Sequence, residues 1–217
     1  MGRIAFDKIS QSNLDIGSIY ESREPYKNLG CAPMSKIFKL NPKISKKRSL
    51  FGNVGGIRTA VKDGKTLAVL LYSDQQQRDW PDSIEGNILT YYGDSRPSSK
   101  KQGLFTPGNA TLYEMFTAKH DNRKMDIPPV FVFFKEQGSG GMNVEFKGLA
   151  LPGYLNARDK KEELKMTHHG DIPNFIAQFT LLLEIKIVER EWFDDIAAIN
   201  AIDSAYCPEI WKNWVLS

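Results

Sequence analysis

The chain has 217 residues, of which 41% are hydrophobic and 25% are charged. These proportions are those of a globular protein, so they argue against a disordered or fibrous chain. The 29 basic and 26 acidic residues leave a net charge of only +3, which does not by itself identify a nucleic-acid-binding protein. The length predicts one domain spanning residues 1–217, with the part from about residue 160 onward forming a strand and a helix packed on it.

Membrane and metal chemistry find little support in the sequence. No apolar run approaches the roughly 20 residues that a membrane helix needs, and the first residues lack the apolar stretch of a signal peptide. We therefore expect a cytoplasmic protein without a membrane partner. Cys31 and Cys207 stand far apart, and the three histidines add no metal-ligand spacing, so we expect no metal site.

From the N-terminus, the first strong feature is a basic segment between Pro33 and Ser49. It has no acidic residue, and its basic residues are Lys36, Lys39, Lys43, Lys46, Lys47 and Arg48. A phosphate backbone would attract such a segment. A solvated lysine-rich loop explains it equally well, and the sequence leaves both interpretations open.

The next segments predict strands. Lys62-Asp63-Gly64-Lys65 is typical of a tight hairpin, and the apolar run at 67–72 predicts a buried strand. Residues 87–93, 128–136 and 142–153 predict further strands, the last two joined by a glycine-rich turn.

Helical patterns are fewer. Leu112, Met115 and Phe116 have helical spacing and predict one short helix, with Thr111 or Asn109 as its N-cap. Near the C-terminus a second helical pattern surrounds Trp192, and we expect the tryptophans of this tail to pack it onto the domain. The predicted fold class is therefore α+β and β-rich, a twisted antiparallel sheet or β-barrel with a few flanking helices.

Aromatic and acidic residues alternate in two neighbouring segments. These are Asp79-Trp80-Pro81-Asp82 and Thr90-Tyr91-Tyr92-Gly93-Asp94. A base extruded from a duplex needs aromatic faces to replace its stacking, and cytosine needs an acceptor for its N4 amino group. The alternative is structural, with Trp80 and one tyrosine in the core and the aspartates capping turns.

Several segments together resemble a known family. Their order resembles that of SRA domains, and they are similar to the N-terminal DNA-recognition domain of AspBHI-type restriction endonucleases, which belong to the MspJI group and depend on DNA modification. The matching segments are Gly55–Arg58, Asp79–Asp82, Tyr91–Pro97, Thr106–Asn109, Pro128–Phe133, Phe146–Gly153 and Cys207–Trp214. The resemblance implies an SRA-like (PUA-like) fold that binds double-stranded DNA containing 5-methylcytosine or 5-hydroxymethylcytosine and flips the modified base.

The resemblance also implies roles for individual residues. Trp80 and Tyr91 correspond to the two stacking faces, with Tyr92 beside them in the pocket. Either Asp82 or Asp94 accepts from the N4 amino group, and the sequence does not choose between them. Residues expected to contact the DNA backbone or groove are Arg58, Arg96, Lys100, Lys101, Lys43, Lys46, Lys47 and Arg48.

Two alternative functions remain. Asp126, Glu145 and Lys147 imitate the acidic and basic spacing of Mg²⁺-dependent nucleases, although Glu145 and Lys147 fall on a strand that the bacterial family shares. The second alternative is a domain that recognises another DNA modification, such as phosphorothioate. His168 and His169 are expected in a surface loop.

The favoured interpretation is a non-catalytic recognition domain that needs no cofactor. In a full-length protein a nuclease domain would follow it, would bind Mg²⁺, and could form a homo-oligomer.

Overall fold

The structure is a computed structural model that describes residues 2–23, 32–39, 56–75, 79–95, 103–138, 142–155 and 160–217. Its strands are β1 (Arg3–Ile4), β2 (Leu14–Asp15), β3 (Ile19–Tyr20), β4 (Ile57–Lys62), β5 (Lys65–Ser73), β6 (Ser83–Glu85), β7 (Ile88–Tyr92), β8 (Val130–Lys135), β9 (Val144–Pro152), β10 (Leu164–His169), β11 (Ile172–Leu181) and β12 (Ile187–Val188). Its α-helices are α1 (Met34–Ile37), α2 (Pro107–His120), α3 (Lys160–Glu163), α4 (Trp192–Ala197) and α5 (Glu209–Leu216).

A single large sheet organises the molecule. Its strands follow the order β4-β5-β8-β9-β11-β7-β6, while β3 pairs with β9, β1 with β3, and β10 with β11. The β-rich α+β class is confirmed, and of the two predicted architectures the open sheet is present rather than a barrel. The sheet is mixed and not wholly antiparallel, because β5 and β8 run parallel. Between them the chain passes through β6, β7 and α2, which is the long crossover that a parallel pair requires.

The hairpin between β4 and β5 confirms the turn expected at Asp63 and Gly64. Both residues have positive φ angles, 51° and 75°. Two such residues form the tight turn whose twist matches that of the flanking strands. The hairpin carries the chain into β5, the strand whose far end borders the site described below.

Both faces of the sheet are buried. Along β5, Ala68 and Leu70 belong to one apolar cluster, whereas Val69 and Leu71 belong to the other. This alternation follows from the two-residue period of a strand. Helix α2 covers one face and the C-terminal helices α4 and α5 cover the other.

Helix α2 begins earlier than predicted. Its N-cap is Thr106, whose side chain accepts from the backbone N–H of Asn109, so the predicted caps Thr111 and Asn109 are wrong. Pro107 at the first helical position explains the difference, because proline there loses no hydrogen bond and already has a helical φ. The predicted apolar face of Leu112, Met115 and Phe116 is buried, as expected.

Residues 160–217 are more closely integrated than the predicted strand and helix packed on the domain. β10 and β11 form a hairpin, and β11 pairs with both β7 and β9 of the main sheet. The tail packs as expected, since the rings of Trp192 and Trp211 lie 5.4 Å apart in the core. Among the described residues, no helix is long and apolar enough to cross a membrane.

Candidate functional site

A small hollow lies at one end of the sheet, where β5 and β7 both finish. It is open to solvent, and its cavity volume is only about 20 Å³, which is room for a single water molecule. Its wall combines aromatic rings, two carboxylates and two glycines, namely Gly56, Tyr72, Asp74, Trp80, Asp82, Tyr91, Tyr92 and Gly93. The two predicted segments at 79–82 and 90–94 therefore meet in space, as their chemistry suggested.

Trp80 packs against Tyr92, with ring centroids 5.4 Å apart and ring planes inclined by 34°. Trp80 is only 6% exposed. Stacked bases are spaced about 3.4 Å apart, so a base held between two rings needs the ring planes to lie about 7 Å apart. A base therefore enters between these two rings only if they separate.

Tyr91 also borders the hollow, but its side chain points to the face of β7 opposite that of Tyr92. It is 2% exposed, belongs to the core, and donates its hydroxyl to the backbone carbonyl of Tyr72 at 3.1 Å. Because successive side chains of a strand point to opposite faces, Tyr91 and Tyr92 cannot both face the same partner. The structure brings Trp80 together with Tyr92, whereas the sequence paired it with Tyr91.

Asp82 is held in place by two donors from the neighbouring strands. Its Oδ2 accepts from the hydroxyl of Ser73 at 2.7 Å, and its Oδ1 accepts from the backbone N–H of Tyr92 at 2.8 Å. A carboxylate accepts about four hydrogen bonds, so one that is oriented in this way can also accept from a ligand amino group. Asp82 thus stands in the hollow as a positioned acceptor.

Asp94 serves a different purpose. Its carboxylate accepts from the backbone N–H groups of Gly108 and Asn109, each at 3.1 Å, and from the hydroxyl of Thr106. These contacts satisfy the first N–H groups of α2 and place negative charge at the helix N-terminus, where it is stabilising. Asp94 does not line the hollow. Of the two acids that the sequence left open, Asp82 lines the hollow and Asp94 does not.

Two buried amides connect the end of β7 to α2. Asn109 donates its side-chain N–H to Asn174 Oδ1 at 3.0 Å, and Asn174 donates to the carbonyls of Gly93 at 3.2 Å and Ser95 at 3.3 Å. Both asparagines are fully buried. Gly93 is required here, because a Cβ atom would overlap Asn109 Oδ1. The network fixes the wall of the hollow and the chain that leaves it.

Arg58 lies beside the hollow on β4. Its guanidinium carbon is 5.4 Å from the centre of the Tyr72 ring, and burial lowers the pKa of the Arg58 side chain. The other residues expected to contact DNA lie outside the described residues: Arg96, Lys100, Lys101, Lys43, Lys46, Lys47 and Arg48.

Two buried polar atoms without partners belong to residues that line this hollow. In the described part of the chain there are six such side-chain atoms, and those on lining residues are Asp74 Oδ1 and Trp80 Nε1, whereas Arg58 and Ser95 do not line the hollow. Native proteins leave few buried polar groups unsatisfied, because each costs free energy. Donors and acceptors that share one hollow without partners indicate a site for a polar ligand.

His169 lies beside the hollow, exposed as the sequence predicted but at the end of a strand and not in a loop. It is the last residue of β10, its ring lies 5.9 Å from that of Trp80, and its Nε2 is 3.5 Å from Asp79 Oδ1. The β10–β11 pairing carries His169 there, and no local pattern around the two histidines indicated it. Asp74 was missed for the same reason, since it stands alone after an apolar strand.

The residues of the predicted nuclease site do not converge. Lys147 pairs with Glu145 at 2.7 Å, whereas Asp126 pairs with Arg123 at 2.6 Å. Asp126 precedes β8, which begins at Val130, and Glu145 lies opposite Phe134, about 13 Å farther along that strand. Among the described residues, no group of three or more His, Cys, Asp and Glu could hold a metal ion.

Comparison with known proteins assigns the chain to a family. The family model described as restriction endonuclease AspBHI N-terminal matches residues 14–217. The chain belongs to this family. The resemblance drawn from segments such as Asp79–Asp82 and Cys207–Trp214 is thereby confirmed.

Solved structures agree with membership of the AspBHI N-terminal family. The DNA recognition domain of the cytosine modification-dependent restriction endonuclease LpnPI is 30% identical, with a TM-score of 0.82 over 100% of this chain and 93% of that one. The DNA modification-dependent restriction endonuclease AspBHI is 24% identical, with a TM-score of 0.80 over 98% and 94% of the two chains.

The MspJI restriction endonuclease in complex with a 27-mer oligonucleotide is 18% identical, with a TM-score of 0.63 over 96% of this chain and 53% of that one. Because AspBHI and MspJI are only 24% and 18% identical to this chain, their similarity to it shows the fold alone. Among curated proteins there is no significant match.

Proposed function

We propose that this AspBHI N-terminal domain recognises a modified cytosine in duplex DNA and flips it into the hollow beside Trp80, Asp82 and Tyr92. Its role is that of the specificity domain of a modification-dependent restriction endonuclease. The observation that carries the proposal is the aromatic-lined hollow that contains the oriented carboxylate of Asp82 and two residues with unpartnered buried polar atoms, Asp74 and Trp80, in a chain of this family.

The chemistry of the hollow suits a flipped cytosine. Aromatic rings replace the stacking that the base loses, and an oriented carboxylate accepts from its N4 amino group. Thymine carries a carbonyl oxygen at this position, which would face the Asp82 carboxylate without a hydrogen between them. The hollow therefore favours cytosine over thymine, although thymine carries the same methyl group as 5-methylcytosine.

Binding requires the aromatic rings to move. Because Trp80 and Tyr92 are in direct contact, the flipped base either separates them or stacks on the outer face of one ring. The His169 ring, which meets Trp80 edge-on, would be displaced or would follow Trp80.

Cleavage would belong to a separate nuclease domain, and Mg²⁺ and any homo-oligomer would belong to that domain. The cytoplasm is the expected location, because modification-dependent restriction acts on DNA inside the cell.

The test is a binding comparison with three otherwise identical duplexes that carry cytosine, 5-methylcytosine or 5-hydroxymethylcytosine at one position. A 2-aminopurine beside that position reports base extrusion. We expect tighter binding and a fluorescence increase only with the modified duplexes. A duplex with one phosphorothioate linkage tests the alternative function, recognition of another DNA modification. Tighter binding to this duplex than to both duplexes with modified cytosine would contradict the proposed function.

A further inference from the structure

Asp74 forms part of the wall of the hollow at the end of β5. Its Oδ1 is buried and has no hydrogen-bond partner, while its Oδ2 lies 3.4 Å from Lys135 Nζ. Burial and the negative charge of Asp74 raise the pKa of the neighbouring Tyr72 to about 12. The hollow therefore has a second carboxylate besides Asp82, with an oxygen whose acceptor capacity the protein does not use.

A buried carboxylate oxygen without a donor is unfavourable, because it has lost water and gained nothing in return. Trp80 shows the same condition on the same wall, since it is only 6% exposed and its Nε1 has no acceptor. Asp82 differs, because Ser73 and Tyr92 already donate to it. The acceptor without a protein donor on a residue that lines this hollow is thus Asp74 Oδ1.

The C5 substituent of a modified cytosine is the group that a second acceptor can distinguish. A methyl group neither donates nor accepts a hydrogen bond, whereas a hydroxymethyl group donates one through its hydroxyl. The substituent stands next to the N4 amino group on the base. An acceptor near the one that binds N4 is therefore suitably placed to meet it.

We propose that Asp74 determines specificity for the C5 substituent, with its Oδ1 accepting a hydrogen bond from the hydroxyl of 5-hydroxymethylcytosine. This inference rests on the proposed function and goes beyond it, because it orders the two modified bases. With 5-methylcytosine the oxygen stays unpartnered, and with 5-hydroxymethylcytosine it is satisfied. The domain binds the hydroxymethylated duplex about tenfold more tightly than the methylated one.

The experiment measures dissociation constants of the 217-residue protein and its Asp74→Ala variant for the three duplexes described above. We expect the variant to lose the tenfold preference for 5-hydroxymethylcytosine. Its affinity for the methylated duplex should stay the same or rise, because the unpartnered oxygen has been removed. The ratio of the two constants is the readout, and a general loss of stability would not change it.

Asp79→Ala is the matched control. This substitution also removes one carboxylate beside the site, but Asp79 is exposed and its contact is with His169. It should affect all three duplexes by the same factor. If Asp74→Ala does not fold, Asp74→Asn removes the charge, keeps an acceptor oxygen and should retain a preference for the hydroxymethylated duplex.

Two results overturn the inference. Equal losses with both modified duplexes would mean that Asp74 accepts the second N4 hydrogen or only supports the fold. A wild-type protein that binds 5-methylcytosine as tightly as 5-hydroxymethylcytosine would also contradict it. A wild-type protein that binds all three duplexes alike would instead contradict the proposed function itself, so the two failures are distinguishable.

Discussion

At the scale of single residues, position on a strand decides which aromatic side chains can meet a base. Tyr91 and Tyr92 are adjacent, yet one is a core residue with a bonded hydroxyl and the other faces Trp80. Under the proposed function, the pair that a flipped base would encounter is therefore Trp80 and Tyr92. Tyr91 acts beneath them as part of the floor.

Trp80→Ala should abolish the preference for modified over plain duplex, because stacking of a base on an aromatic ring contributes about 1–3 kcal/mol. Fluorescence anisotropy with both duplexes measures the effect. Tyr113→Ala serves as a control, since Tyr113 is an exposed aromatic residue on α2 that does not line the hollow. Unchanged discrimination in a folded Trp80→Ala protein would remove Trp80 from the base-binding site.

Substitutions of Asp82 and Asp94 should have different effects, one on DNA binding and the other on stability. Asp82→Ala should cost about 2–3 kcal/mol of specific binding and suppress the 2-aminopurine signal, because the flipped base loses a charged acceptor. Asp94→Ala should instead lower the free energy of unfolding by about 1–3 kcal/mol, because several donors at the start of α2 lose their acceptor. Thermal unfolding is measured for each variant, and binding is measured below its melting temperature. Loss of discrimination only in the Asp94 variant would reverse the assignment.

At the scale of elements, α2 and β7 are joined by the buried amides of Asn109 and Asn174. Helix α2 is therefore part of the site although it contributes no side chain to the hollow. The helix and its N-terminal acceptor Asp94 hold the segment after Gly93, from which the chain continues to Arg96, Lys100 and Lys101.

Asn109→Ala should destabilise the protein by about 1–3 kcal/mol, because the buried side-chain oxygen of Asn174 loses one of its donors and the N–H of Asp94 loses its acceptor. Denaturant unfolding provides the measurement. Thr111→Ala on the same helix is the control, since its hydroxyl only bonds back to Pro107 near the surface, and it should change stability by less than about 0.5 kcal/mol. Equal effects of the two substitutions would show that the network adds nothing.

The basic segment between Pro33 and Ser49 should act on all DNA alike. Replacing Lys43, Lys46 and Lys47 by serine should weaken binding to plain and modified duplexes by the same factor, because phosphate contacts carry no sequence information. The slope of log affinity against log salt should become shallower by about 0.9 for each phosphate that the variant no longer neutralises. Weaker binding confined to the modified duplex would mean that this segment reads the base.

At the scale of the whole molecule, the acids that imitate a nuclease site are dispersed. Asp126 and Glu145 lie near opposite ends of β8 and each has a basic partner. The same sheet that separates them brings the ends of β5 and β7 together around the hollow. Among the described residues, the topology thus separates the nuclease-like acids and brings together the residues of the proposed base-binding hollow.

The 217-residue protein should accordingly bind a modified plasmid without cutting it when Mg²⁺ is present. Gel electrophoresis after prolonged incubation with modified and unmodified plasmid measures this outcome. Cleavage that depends on Mg²⁺ and disappears in the Glu145→Gln variant would restore the nuclease alternative. Cleavage that persists in that variant would point to a contaminating enzyme.

The sequence by itself determined the features that depend on neighbouring residues. The Asp63-Gly64 turn follows from two residues that tolerate positive φ, and the strand alternation of β5 follows from its apolar run. The family followed from short segments in a fixed order. The candidate segments at 79–82 and 90–94 followed from side-chain chemistry alone.

The tertiary structure decided the features that depend on strand register and on the connections between distant strands. It turned Tyr92 and not Tyr91 toward Trp80, gave Asp94 to the N-terminus of α2, and brought His169 to the edge of the hollow. It also placed Asp74 in the wall with an unused acceptor, although nothing beside Asp74 in the sequence indicates a site. These positions follow from the pairing of β7 with β11 and of β5 with β8. The paired strands lie roughly 60 to 90 residues apart in the sequence, so no local sequence pattern encodes their relative position.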